Sequence, residues 1–67
     1  MKEYSITIPE MERLIDLWIY HERNRAIIKR KMIDGVTFEQ VAEEFGISVR
    51  GAKDIVYRCQ EIIFKHM

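Results

Sequence analysis

The chain is short of residues that interrupt or staple a fold: its 67 positions include one proline, Pro9, one cysteine, Cys59, and three glycines. A lone cysteine excludes an intramolecular disulfide and suits a reducing compartment, so the expected location is cytoplasmic and the expected role of Cys59 is burial. No apolar run approaches the roughly 20 residues needed to cross a bilayer, and the opening MKEYSITIPE lacks the hydrophobic stretch of a signal peptide; no membrane partner is expected. Net charge is also missing, since 11 Lys/Arg balance 11 Asp/Glu. That sum argues against a uniformly basic binder, but the distribution of charge matters more.

Catalytic patterns are equally scarce. His21 and His66 lie far apart, without Cys or carboxylate partners at zinc spacing. No glycine-rich phosphate loop or nucleophile elbow is present. Glu43 and Glu44 are neighbours on a helix and diverge, which suits a solvated face better than paired acid and base. The expectation is no enzyme, no metal and no cofactor.

What is present is helical periodicity with marked ends. The pattern predicts one small all-α domain of four helices, about 9–20, 23–33, 38–45 and 49–65, preceded by an arm over residues 1–8. In the arm Tyr4, Ile6 and Ile8 alternate with Ser5 and Thr7, and a strand, an ordered extension and a disordered tail all remain open. Pro9 suits the first turn of a helix, with Glu10 and Glu12 at its positive end. Met11, Leu14, Ile15 and Trp18 then make an apolar face, which Leu17 and Ile19 widen. The surplus serves either the core, which we favour, or a dimer face. A chain this short buries only roughly 60% of its unfolded surface, so a partner would help it.

Between His21 and Asn24 the apolar pattern lapses, which predicts a helix boundary; one long helix is the alternative. The next helix turns Ile27, Ile28 and Met32 inward and Arg25, Lys29 and Arg30 outward, and stops at Asp34-Gly35. His21 to Lys31 holds five Lys/Arg against one acid, Glu22, and this basic face either approaches phosphates or is merely solvated. Thr37 and Gln40 form a capping-box pattern that starts the third helix, which ends at Gly46. Ser48 is the N-cap of the fourth. There Ala52, Ile55, Val56, Cys59, Ile62 and Ile63 form the inward stripe. Arg50, Lys53, Asp54 and Tyr57, at spacings of three, four and seven, fall on the other side.

Residues Arg23 to Ile63 resemble the helix-turn-helix family, in particular the C-terminal promoter-binding region of bacterial sigma factors and its small relatives in phages and mobile elements. RAIIKRKMIDG, from Arg25 to Gly35, resembles the helix before the motif, and VTFEQVAEEFGIS, from Val36 to Ser48, matches its first helix and turn. The resemblance implies that small Ala42 lets the two helices approach, that Gly46 makes the turn, and that Ile47 and Ile55 fill the space between. It also implies that the last helix lies in the major groove of duplex DNA. Gly51, inside that helix, and Ala52, where a branched residue is common, depart from the pattern. The other sigma-factor regions are not in this chain.

Arg50, Lys53, Asp54 and Tyr57 are therefore the candidate base-reading residues: Arg bonds bidentately to guanine, Asp accepts from cytosine, and Lys and Tyr reach bases or phosphates. Arg23, Arg25, Lys29, Ser48 and Arg58 are the candidate phosphate contacts. The expected function is a small sigma-like transcriptional regulator, with a homodimer or RNA polymerase as a further partner. The rival expectation is a protein-interaction adaptor of the same fold.

Overall fold

The capping box that opens the first helix joins Thr7 and Glu10. The Thr7 hydroxyl accepts the Glu10 N–H at 3.3 Å, and the Glu10 carboxylate accepts the Thr7 N–H at 3.0 Å. These contacts belong to a computed structural model that describes residues 7–66. With Thr7 as cap, α1 spans Ile8–Trp18 and starts one residue earlier than the proline alone suggests. The strand, extension and tail readings of the arm concern residues that, before Thr7, lie outside the described ones.

The chain leaves the helix at Ile19, whose φ of −102° and ψ of 106° are extended, and re-enters one at Glu22. The boundary anticipated near His21 is thus real, and the single long helix is not formed. α2 spans Glu22–Met32, and its N-cap His21 makes no side-chain cap bond. Past its end, Gly35 takes a φ of 73°, the left-handed conformation that glycine adopts without a Cβ penalty. Asp34 donates its N–H to the Lys29 carbonyl at 3.3 Å on the way out.

α3 spans Phe38–Phe45, with the Thr37 hydroxyl accepting the Gln40 N–H at 3.1 Å. The reciprocal half of the expected capping box, in which the Gln40 amide oxygen would accept the Thr37 N–H, is not made; the Gln40 side chain lies along the helix toward Glu44, to which its Nε2 donates at 3.1 Å. Gly46, at a φ of 65°, closes the helix, and Ile47 donates back to the Ala42 carbonyl at 3.0 Å. Only Gly46, Ile47 and Ser48 separate α3 from α4, which spans Val49–Lys65. Seventeen residues make α4 about 25 Å long. All described elements are helices, and α4 packs against the other three.

Every helix contributes to one core: Ile15 from α1 with Ile19 just beyond it, Ile27 and Ile28 from α2, Val41 and Ala42 from α3, and Ala52, Val56, Cys59 and Ile63 from α4. No polar or charged residue among those described is buried. Two expectations are corrected. Ile62, assigned to the inward stripe, is 39% exposed because it projects roughly 90° away from the middle of the buried line of Ala52, Val56, Cys59 and Ile63. Of the two residues that widen the α1 face, Ile19 enters the core from the turn while Leu17 stays 56% exposed.

Candidate nucleic-acid interface

α4 begins under a defined cap: the Ser48 hydroxyl oxygen accepts the Gly51 N–H at 3.0 Å. This fixes the rotation of the first turn, while burial of Ala52 and Val56 fixes which side of the helix faces inward. Arg50, Lys53, Asp54 and Tyr57 are consequently all exposed, along one side. Ser48 also lies at the surface, and its O–H can still donate outward because only its oxygen serves the cap. Gly51 has a local explanation. A Cβ there would lie 3.2 Å from the Ser48 hydroxyl oxygen, so a larger residue crowds the cap.

The Phe38 ring, at the start of α3, ties this side of α4 to α2. It meets Tyr57 edge to face, with centroids 5.9 Å apart and planes at 73°. Two ammonium groups sit over the same ring, Lys31 at 4.7 Å and Lys53 at 5.8 Å from its centroid. An aromatic face attracts a cation through its quadrupole, so Phe38 orients both lysines without neutralising either. Lys31, absent from the candidate contacts legible in the sequence, joins this cluster. Its signal was its place in the last turn of the basic helix, beside a loop that returns immediately to Phe38.

Arg25, Lys29 and Arg30 of the upstream basic run are engaged within the fold. Arg25 is half-buried and donates to the Ile19 carbonyl at 3.4 Å. Lys29 is paired with Asp16 at 2.9 Å. Arg30 bridges α2 to α3, donating from Nε to Glu44 at 2.8 Å and from Nη2 to the second oxygen of that carboxylate, and it also holds Asp34 at 2.9 Å. The guanidinium holds the Glu44 carboxyl down to about 2, with help from the Gln40 amide. The same two carboxylates push the Arg30 pKa still higher than its ordinary value. Arg23 is exposed.

Arg58 is exposed but sits about 12 Å farther along α4 than Arg50, at 1.5 Å of rise per residue. There it lines a groove of about 520 Å³ together with Trp18, Tyr20, Asn24 and His66. His66 is exposed, and its ring stacks on Trp18 at 3.6 Å between centroids, closing the end of α4 onto the end of α1. Proximity therefore gathers Lys53, Tyr57 and the added Lys31 around Phe38 and sets Arg25 and Arg58 apart, near the α1–α2 junction.

Cys59 is buried, and burial pushes its thiol pKa up, which disfavours the reactive thiolate. Among the described residues no group of three or more His, Cys, Asp or Glu could hold a metal ion. No described helix is long and apolar enough to cross a membrane. No family model matches the chain, and no curated protein or solved structure is similar to it at a meaningful level.

Proposed function

We propose that this protein is a sequence-specific duplex DNA-binding module of the helix-turn-helix type, acting in the cytoplasm as a small sigma-like regulator of transcription. One observation supports it above the others. Directly after a glycine turn and a serine cap, α4 exposes Arg50, Lys53, Asp54 and Tyr57 on one side, and Phe38 draws Lys31 to that side. These residue types match what a major groove offers: guanine acceptors for Arg50, the cytosine amino group for Asp54, and phosphates for the lysines and Tyr57. Ser48 adds a hydroxyl donor at the helix start, and Arg23 and Arg58 can reach flanking phosphates. Arg25 and Lys29 would have to give up the Ile19 carbonyl and Asp16 to do so.

The mechanism is binding, not catalysis. A lone module of this size binds weakly, and useful affinity then comes from a second copy or from docking on RNA polymerase. The test is titration of the chain against pooled duplex DNA at several salt concentrations. Affinity is expected to fall steeply with log salt and to weaken in Arg50→Ala and Lys53→Ala. Undetectable binding at low salt, with helicity intact, overturns the proposal. It would favour an adaptor that offers the exposed Glu39 and Glu43 of α3, neither of them in an ion pair among the described residues, to a basic protein surface.

A further inference from the structure

Asp54, Arg58, Glu61 and Lys65 follow one another along α4 at steps of four, three and four, which places them in one stripe on a helix. All four are exposed. None takes part in an ion pair among the described residues, where the pairs are Lys29 with Asp16 and Arg30 with Asp34 and Glu44. The signs of the stripe alternate, beginning negative and ending positive. Such a sequence is its own complement on reversal. Two antiparallel copies of α4 set Asp54 against Lys65 and Arg58 against Glu61, each twice, whereas two parallel copies in register set like against like.

Apolar side chains border this stripe. Tyr57 is 55% exposed and Phe64 56%, and the two lie seven residues apart, on the same flank. A twofold axis midway between Arg58 and Glu61 keeps that flank on the same side in both copies, and brings Tyr57 of one close to Phe64 of the other. A shallow depression of about 370 Å³, lined by Tyr57, Arg58, Glu61 and Phe64, lies where those rings would seat. Tyr20 and Ile62 are exposed on the other flank. Three exposed aromatic rings, each offering on the order of 100 Å², and Ile62 supply roughly half of the 800 Å² per partner that a standard interface buries. A zero formal charge removes the long-range repulsion that would oppose association.

We infer that a second copy of this chain docks antiparallel on α4, through the Asp54–Arg58–Glu61–Lys65 stripe and its aromatic flank. The contact is isologous, so it closes at two copies. It covers Asp54 and Tyr57 and therefore differs from a dimer that reads two half-sites. If the DNA-binding proposal holds, self-association and duplex binding compete for one helix, and the dimer is the form withheld from DNA. The self-association itself does not depend on that proposal.

Sedimentation of the full chain without DNA tests it. A monomer–dimer equilibrium is expected at high micromolar concentration, weakening as salt rises. Arg58→Glu and Glu61→Arg each place like charges across the axis and are expected to weaken association at least about tenfold. The double reversal restores every pairing and should recover dimerisation, a result that charges acting only within their own helix would not give. Circular dichroism on each variant separates loss of association from loss of fold. A monomer at all concentrations, a dimer insensitive to both single reversals, or no recovery in the double variant each overturns the inference. In the duplex titration, monomeric Glu61→Arg is expected to bind at least as tightly as the parent chain.

Discussion

Arg30 on α2 and Glu44 on α3 are joined by two N–H···O bonds from one guanidinium to the two oxygens of one carboxylate. This fork spans the loop that contains Gly35 and fixes α3 against the basic helix before α4 begins. Its pH dependence follows from the Glu44 carboxyl, held down to about 2 against an ordinary value of 4.5. A depressed carboxyl pKa contributes stability that is fully present above the unfolded value and is lost as pH falls through the folded one. The contribution of Glu44 is therefore expected to be intact at neutral pH and to disappear between about pH 4.5 and pH 2. Glu10, lowered by its bonds to Thr7, weakens in the same direction. Urea midpoints measured across that window should fall less in Glu44→Gln than in the parent chain; equal slopes would show that the fork adds nothing.

Gly51 combines two opposing effects whose balance can be measured. Alanine in the interior of a helix is favoured over glycine by up to about 1 kcal/mol. Here the new Cβ would sit 3.2 Å from the Ser48 hydroxyl oxygen, which caps the Gly51 N–H. Loss of a serine cap costs typically about 1 kcal/mol. Gly51→Ala alone is thus expected to stabilise by clearly less than the propensity difference. In a Ser48→Ala background the crowding is gone, and the same change should yield about 1 kcal/mol. A double-mutant cycle by urea denaturation reads the coupling, and identical effects in both backgrounds would exclude the steric account.

The elements with local punctuation were legible from residues alone. Thr37, Gly46 and Ser48 mark α3 and the start of α4 at the positions the structure gives, because cap and turn chemistry is decided within a few residues. The end of α1 was less clear, since Ile19 is as apolar as the helix before it and leaves the helix only to reach the core. Charge partnership was not legible. Arg25, Lys29, Lys31 and Arg30 look equivalent in the sequence, yet their partners are a carbonyl six residues back, Asp16, the Phe38 ring and Glu44. Those partners come from other elements, and only packing brings them within reach.

That division of the basic run yields a prediction for binding. If duplex DNA contacts α4, removal of a lysine at a phosphate lowers affinity about uniformly across sequences and reduces the salt slope by about 1. Lys31→Ala and Lys53→Ala, at the Phe38 ring, are expected to do this. Lys29→Ala, which loses its pairing to Asp16, is expected to change the slope little. An exposed pair of that kind is worth at most about 1 kcal/mol, so the fold should survive the change. Equal slopes for all three variants would mean that the Phe38 cluster does not define the contact surface.

Ala52 tests whether close approach around α4 depends on small residues. It is fully buried, and Ala42, across the turn on α3, is nearly so. A core at crystal-like density has no room for added methyl groups, and overpacking costs about 1–3 kcal/mol. Ala52→Leu should therefore destabilise by that amount despite leucine's good helix propensity, and it should also weaken duplex binding by displacing α4. The control is Leu17, 56% exposed on α1, where Leu17→Ala should change stability by no more than about 0.5 kcal/mol. Chemical denaturation of the two variants gives the comparison directly. A tolerant Ala52 would mean that α4 can shift away from its neighbours at little cost, which would leave Arg50 and Lys53 without a fixed platform.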